Sequence, residues 1–326
     1  MDIQNKTLPK IGIVIPCYNE EAALPITIPK LRGILIRLID NGEISEKSYI
    51  LCVDDGSRDT TWKLIKAMSS ENAMIQGIAL AHNRGHQSAL LAGLMEARKD
   101  CDAVVSIDAD LQDDPNAIMK MIELYKQGNE IVYGVRQSRK TDSWFKRNSA
   151  RGFYKLQKSM GLHTVYDHAD YRLMSKRALD ILSEYKEQNL FLRGIIPQIG
   201  LQTAIVYYDR NERVAGESKY PLGKMLSFSI DGITSFTARP VRWIFMLGLI
   251  MLILDILVAL YVFGSCIWGH PVSGWSSLML SVWFLGSVIL ISIGIVGEYI
   301  GKIFNEVKQR PRYNIKEHTG SEDKEE

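Results

Sequence analysis

The chain has 326 residues, longer than a single domain requires and short for three. With 46% hydrophobic residues and a net charge of only +2 it has the averages of an ordinary packed protein, and no nucleic-acid partner is expected. Those averages hide a division: charge fills the first two thirds, whereas residues 243–263 and 277–297 are nearly devoid of it, and each is long enough to cross a bilayer.

Met1 to Lys10 is polar and lacks an apolar core, so no signal peptide is expected and the following domain should stay in the cytosol. Lys10 to Ile15 predicts a strand that stops at Pro16-Cys17-Tyr18-Asn19-Glu20-Glu21, and a helix follows from about Glu21 to Ile39, its first turn made irregular by Pro25 and Pro29. Ile50 to Val53 predicts a second strand, ending in Asp54-Asp55-Gly56-Ser57-Arg58-Asp59-Thr60-Thr61, where Ser57 or Asp59 can cap a helix through Met68. A third strand, Met74 to Ala81, leads through Asn83-Arg84-Gly85-His86 to a helix over Gln87 to Arg98. Ala103 to Ile107 is a fourth, with its helix over Asn116 to Lys126, and Glu130 to Tyr133 a fifth. Cys17, Cys52, Cys101 and Cys266 show no CxxC or zinc spacing and read as buried reduced thiols.

The fourth strand ends abruptly in Asp108-Ala109-Asp110-Leu111-Gln112-Asp113-Asp114-Pro115. Asp108 and Asp110 are two residues apart, so in strand geometry both project to one side, about 6 to 7 Å apart. Together with the Gln112 amide they make a hard, incomplete shell that suits Mg²⁺ or Mn²⁺ with a substrate phosphate completing it. The plainer alternative is an acidic turn capping a helix at Pro115, a role assigned to Asp113 and Asp114.

Strands alternating with helices imply an α/β fold, a parallel sheet with helices on both faces and a ligand at the carboxyl ends of the strands. Those ends carry Tyr18, Glu20, Asp54, Asp55, Asp108 and Asp110. No GxGxxG follows the first strand and no GxxxxGK[ST] occurs, which disfavours a dinucleotide cofactor and a P-loop enzyme. Beyond Gly134 comes a basic stretch with interleaved aromatics, Arg136, Arg139, Lys140, Trp144, Lys146, Arg147 and Arg151, which a solvated helix face would also explain. Asp167 to Arg172 precedes another helix, and its Asp170 could be a base or an orienter for Arg172. Leu201 to Tyr208 alternates like an edge strand, and Arg213 to Lys219 lies in a polar loop.

Gly223 to Phe236 fits a helix lying on the membrane interface, although a core-packing helix would look similar. Arg239 and Arg242 precede the first span and Lys302, Lys308, Arg310 and Arg312 follow the second, while Gly264 to Ser277 has no Lys or Arg, so both termini are expected in the cytosol. The expected organisation is a catalytic domain over 1–220, an interfacial helix over 221–238, two spans with a short non-cytosolic link over 239–299, and a charged tail over 300–326, disordered from Ser321. Asp255 falls mid-span, where helix contact or oligomer packing accounts for it, and Gly286, Gly294 and Gly297 permit packing between subunits.

Five segments in order, IVIPCYNEE (Ile13 to Glu21), VDDGSRDT (Val53 to Thr60), DADLQ (Asp108 to Gln112), RVAGESK (Arg213 to Lys219) and GEYIGKIFNEVKQRP (Gly297 to Pro311), resemble the family 2 inverting glycosyltransferases that load polyprenyl phosphate. The subgroup most similar is that of the bacterial bactoprenol glucosyltransferases, with the dolichol-phosphate mannosyltransferases more distant. The resemblance implies the GT-A nucleotide-sugar-binding sheet followed by two membrane helices, in a bacterial cytoplasmic membrane. It also implies a nucleotide-sugar donor, with UDP-glucose favoured, undecaprenyl phosphate as acceptor, and Mg²⁺ or Mn²⁺. Matched by motif, Pro16, Tyr18, Glu20 and Asp55 would hold the nucleoside, Asp108, Ala109 and Asp110 the donor, and Asp108, Asp110 and Gln112 the metal. Arg136, Arg213 and Lys219 match basic positions that face the phosphates, and Asp170 matches an acid regarded as the base in the bacterial subgroup. The alternatives are a processive polysaccharide synthase, whose QxxRW signature Arg239-Pro240-Val241-Arg242-Trp243 matches without its glutamine, and a catalytically silent nucleotide-binding tether.

Overall fold

An unbroken apolar run has no solvent-facing side, and Ile11–Cys17 (β1) is buried along its whole length in the interior of an eight-stranded sheet. In the computed structural model the described residues are 8–137, 168–188, 191–209 and 274–319, with isolated positions between 244 and 260. After β1 come α1 (Leu24–Asp40), β2 (Tyr49–Asp54), α2 (Thr61–Glu71), β3 (Ile75–Leu80), α3 (His86–Ala97), β4 (Ala103–Ser106), α4 (Ala117–Lys126) and β5 (Ile131–Arg136). All lie close to the expected boundaries. The first helix starts later than Glu21 because Glu20 begins a turn, its carbonyl accepting from the Ala23 and Leu24 amides, and Pro25 stands in the first helical turn, where no amide is needed.

Strand order is β7-β5-β6-β4-β1-β2-β3-β8, where β6 is His168–Ser175, β7 is Thr203–Tyr208 and β8 is Ile315–His318. The block β4-β1-β2-β3 is parallel, as expected. The sheet as a whole is mixed, which corrects the expectation of a purely parallel one: β6 is antiparallel to both β4 and β5, and β8 is antiparallel to β3. Asp170 and Arg172 therefore lie in a strand. A buried ion pair on one face hides the apolar alternation expected of a strand. Between β6 and β7 lie α5 (Lys176–Glu184), a short α6 (Leu192–Ile195) and a 3₁₀ turn over Ile196–Ile199. The expected edge strand is β7, parallel to β5.

The helices pack closely on the sheet. A Cβ on Gly93 of α3 would come within 2.4 Å of Val14 and 2.7 Å of Val53, so no larger residue fits between α3 and the β1–β2 pair without a shift. Cys17, Cys52 and Cys101 are buried free thiols.

The other edge is closed from far along the chain. Thr319 and Gly77 exchange hydrogen bonds, the Thr319 amide donating to the Gly77 carbonyl (2.8 Å) and the Gly77 amide to Thr319 Oγ1 (2.7 Å), and the Ala81 amide donates to the Asn314 carbonyl (2.9 Å). Trp62 Nε1 and Lys66 of α2 both reach the Glu317 carboxylate. The segment expected to be only a charged tail is thus part of the sheet.

Before it runs α7 (Trp275–Val307), 33 residues and about 50 Å long. Its stretch Phe284–Val307 is, among the described residues, the one helix long and apolar enough to cross a membrane. The helix continues ten residues past the expected end at 297, carrying Glu298, Lys302 and Glu306. In the first expected span the described positions from Ile244 to Leu260 are helical. Asp255, the interfacial segment 221–238 and Ser321 to Glu326 lie outside the described residues. The chain divides into two compact units, one holding β1 to β7 together with β8, the other holding α7.

Candidate active site

Successive strands run from β1 through β2 to β3 on one side, while β4 lies on the other side of β1, so the strand order reverses between β1 and β4. Loops leaving two such strands diverge and open a crevice at their carboxyl ends. Tyr18 and Glu20 leave β1 there, and Asp108 and Asp110 leave β4. Pro16 stays within β1, level with Val53 of β2.

The loops after β1 and β2 are tied into one body. The Asn19 amide donates to Ser57 Oγ (3.0 Å), the Arg58 amide to Asn19 Oδ1 (2.9 Å), the Glu20 amide to Thr61 Oγ1 (2.9 Å), and Thr60 donates its amide and hydroxyl to Glu21 Oε2. Asp59 Oδ1 accepts from the Thr61 amide (3.0 Å), one residue ahead of the cap position, which is held by Thr60 without a side-chain bond and not by Ser57 or Asp59 as expected. Asn19 itself is left-handed, with φ of 53°, a conformation that asparagine tolerates better than most residues. Asp55 is buried, and its two oxygens accept from the Arg84 and Gly85 amides at 2.7 and 2.9 Å. Burial pushes its carboxyl up in pKa and those two amides oppose the shift. Gly56 has φ of +66°, and a Cβ there would lie 2.7 Å from the Asn83 nitrogen, so this turn admits only glycine. Asp55 and Gly56 together brace the loop that enters α3.

The Asp108–Gln112 turn is held from both sides. Thr27 of α1 is buried and donates to the Ala109 carbonyl at 2.6 Å. Leu111 has φ of 50°, which costs a non-glycine residue about 1 to 3 kcal/mol, and its side chain is buried. Asp110 Oδ1 accepts from the Gln112 amide at 3.2 Å. On the far side Asp113 Oδ1 accepts from Arg136 Nε (3.0 Å), Arg136 Nη2 (2.8 Å) and the Tyr208 hydroxyl (2.7 Å), while the Tyr171 hydroxyl donates to the Asp114 carbonyl (2.9 Å). Asp114 accepts from the Asn116 amide at 3.0 Å, a local turn bond ahead of α4, whose cap position Asn116 makes no side-chain bond, so Asp114 does not take the expected capping role. Asp113 does not take it either: it is buried and serves as the counter-ion of Arg136. Arg136, expected to face phosphates, is directed at this carboxylate.

Asp108 keeps 40% of its side chain exposed, and loss of bulk solvent pushes its carboxyl up to about 6, with His86 opposing and Asp113, Asp170 and Asp110 reinforcing. A nearby cation would reverse that shift. Among the described residues no cluster of three His, Cys, Asp or Glu side chains is suited to hold a metal. Two carboxylates beside Gln112 leave coordination positions for diphosphate oxygens and water, which fits a Mg²⁺ or Mn²⁺ ion brought with substrate and does not fit a fully protein-caged ion.

The register of β4 with β6 pairs Ser106 with Arg172, and continued by two residues it sets Asp170 level with Asp108. Asp170 is buried and surrounded by donors: Arg172 Nη2, Arg193 Nε and Nη2 (3.2 and 3.1 Å), Gln87 Nε2 (3.2 Å), and His86 Nε2 at 3.5 Å. Burial alone would raise its pKa, but Arg193, His86 and Arg172 hold it well below the usual carboxylate range. The same contacts act on His86: burial opposes its protonation, and Asp170 and Asp108 outweigh that, raising it to about 9. A carboxylate so stabilised is a weak proton acceptor. Sequence reasoning passed over Thr27, His86, Gln87 and Arg193. His86 was legible as the residue that opens a helix at a crevice loop; Arg193 comes from a four-residue helix with no motif around it. Arg213, Lys219, and the basic residues Arg139 to Arg151 lie outside the described residues.

Residues 12–182 match the protein family described as Glycosyl transferase family 2. The uncharacterized glycosyltransferase YkoT of Bacillus subtilis strain 168 is 52% identical over 307 residues, covering 94% of this chain and 91% of that protein. The SfII prophage-derived bactoprenol glucosyl transferase of Shigella flexneri is 38% identical over 319 residues, covering 96% of this chain and 99% of that protein. Among solved structures, glucosyl-3-phosphoglycerate synthase from Mycobacterium tuberculosis in complex with Mn²⁺, UDP-glucose and phosphoglyceric acid matches with a TM-score of 0.45 at 19% identity, covering 69% of this chain and 78% of that one.

Proposed function

The chain belongs to glycosyl transferase family 2 and is a glycosyltransferase, and from that premise we propose that it moves one sugar, glucose from UDP-glucose, onto undecaprenyl phosphate at the cytosolic face of a bacterial membrane. The observation that carries the reading is the pair Asp108 and Asp110, presented beside the strand-order reversal on a turn that Thr27 and Arg136–Asp113 hold from opposite sides. The near full-length relationship to a protein named a bactoprenol glucosyl transferase supports the acceptor.

The acceptor's phosphate oxygen forms a bond to the anomeric carbon as the bond from that carbon to the β-phosphate oxygen breaks, and the nucleoside diphosphate leaves. Attack from the opposite face inverts the centre, so an α-linked donor gives a β-linked lipid phosphosugar. A metal held by Asp108, Asp110 and Gln112 would supply charge stabilisation on the departing β-phosphate. Pro16, Tyr18 and Glu20 take the nucleoside, Asp55 acts by bracing the loop into α3 beside it, and Arg213 and Lys219 meet the phosphates. Arg136 acts through Asp113, by fixing the turn that carries the two carboxylates. A phosphate monoester is already anionic at neutral pH and needs little help from a base. That agrees with an Asp170 whose oxygens are occupied by cations, and its part in this scheme is orientation.

The same reading places two membrane spans in the segment between the catalytic sheet and the tail. Its support is topological: β8 follows the long apolar helix yet pairs with β3, so the chain between β7 and β8 crosses any bilayer an even number of times. An apolar acceptor anchored in the bilayer then meets a crevice held at its surface.

The test is transfer of radiolabelled sugar from a panel of UDP- and GDP-sugars to undecaprenyl phosphate by the solubilised full-length protein. Label entering the lipid fraction from UDP-glucose, and lost with EDTA, is the expected outcome. Folded protein that labels no lipid from any donor contradicts the proposal.

A further inference from the structure

Asp170 holds two basic side chains beside the crevice, a guanidinium and an imidazole. Arg193 grips both of its oxygens, through Nε at 3.2 Å and Nη2 at 3.1 Å, and His86 Nε2 lies between two carboxylates, 3.5 Å from Asp170 Oδ2 and 3.7 Å from Asp108 Oδ1. Their positions are coupled by one amide: Gln87 donates from Nε2 to Asp170 Oδ2 (3.2 Å), while its Oε1 accepts from the Leu192 amide (3.2 Å) at the start of α6, the helix that carries Arg193. Depth separates the members of the group. Asp170 and Arg172 are buried, with 4% and 1% of their side chains exposed, whereas Arg193 keeps 38% and His86 33%. Arg193 and His86 are thus the more exposed members around a carboxylate that is itself closed to solvent, and His86 also lies against Asp108.

The geometry points to His86 and Arg193 as the subsite that receives the phosphate of the acceptor, aimed by Asp170 and Gln87 as positioning residues. The inference rests on the function proposed above. In that reaction a phosphomonoester dianion must approach a carbon still bonded to a nucleoside diphosphate, beside two carboxylates. Like-charge repulsion opposes the encounter unless cations stand along the approach. Arg193 is suited to it because a guanidinium whose Nε and Nη2 are fixed by a bidentate carboxylate cannot turn away, which holds its positive charge in one place. His86 reaches the metal-site carboxylate and the acceptor side together, so it can set the distance between the two substrates.

The experiment varies undecaprenyl phosphate and UDP-sugar separately in the full-length protein and in Arg193→Gln, Arg193→Lys and His86→Gln, with UDP and Mn²⁺ binding measured by calorimetry. In Arg193→Gln, loss of a charge-assisted contact to phosphate should raise KM for the acceptor by about tenfold or more, with UDP affinity within about twofold of wild type; His86→Gln should raise the acceptor KM as well. Arg193→Lys should recover part of the loss. Farnesyl phosphate, a soluble phosphomonoester, should compete with the acceptor and lose affinity equally in Arg193→Gln, which separates recognition of the phosphate from contact with the bilayer. An unchanged acceptor KM overturns the subsite, and so does a fall in UDP affinity as large as the fall in acceptor affinity. Should Arg193→Gln fail to fold, Arg193→Lys carries the same comparison, with acceptor KM raised and UDP affinity unchanged. Wild-type protein that does not glycosylate undecaprenyl phosphate removes the function proposed above. Wild-type transfer alongside variants of unchanged acceptor KM removes the subsite alone.

Discussion

Asp108 to Asp114 contains four carboxylates within seven residues, and their surroundings give them different work. Asp108 stays partly open, Asp110 accepts from the turn's own backbone, Asp114 accepts from the Asn116 amide ahead of α4, and Asp113 is buried against Arg136 and Tyr208. Removing one partner of a buried pair leaves the other's charge uncompensated, so Arg136→Met should destabilise the protein by about 3 kcal/mol and lower its thermal midpoint by several degrees. An unchanged midpoint would mean that Arg136 does not hold the turn. Thr27→Val tests the opposite anchor: it deletes the donor to the Ala109 carbonyl at nearly constant volume, with an expected loss of about 1 to 2 kcal/mol. If Thr27 fixes the turn, the variant also binds Mn²⁺ with UDP more weakly, and calorimetry showing wild-type affinity would separate the hydroxyl from the site. None of these division-of-labour details can be read from DADLQDD, because they depend on residues from α1, β5 and β7 that meet only in the folded sheet.

The elements divide into those whose own sequence announces them and those defined by a distant partner. Strands β1 to β4 are short apolar runs that stop at polar turns, and the sequence shows both their existence and the acids at their ends. Strand β6 alternates too, with Tyr171 and Leu173 on one face, but Asp170 and Arg172 on the other neutralise each other in the interior and conceal the alternation. Strand β8 has one apolar side chain in four residues, and its register partner for Ile315 is Leu80. No local pattern could reveal a pairing made 235 residues away, the difference between 315 and 80. For the site, the carboxylates were legible as motif residues, while Arg193 and Gln87 were not, since their role appears only when α3 and α6 converge on Asp170. The edge strand can be tested by Thr319→Pro, which removes both the amide and the hydroxyl that pair with Gly77. Faster hydrogen exchange at the β3 amides is expected, and exchange at wild-type rates there would show that β8 does not protect the edge.

At the scale of the whole molecule, the catalytic sheet is built from both ends of the chain, with the long apolar helix in between. This arrangement predicts that reporters fused to the N- and C-terminus respond from the same side of a membrane, and with the function proposed above that side is the cytosol. Termini on opposite sides would require an odd number of crossings and would contradict the pairing of β8 with β3. The central claim concerns chemistry, a metal-assisted transfer to a lipid phosphate centred on Asp108 and Asp110. Its most direct test is the rate of lipid-linked sugar formation by wild-type and Asp110→Asn protein at saturating Mn²⁺, with thermal unfolding as the control for folding. The account predicts a folded variant slowed by roughly a hundredfold or more, as expected when charge stabilisation at the leaving group is lost. A folded Asp110→Asn variant turning over at near wild-type rate would contradict it.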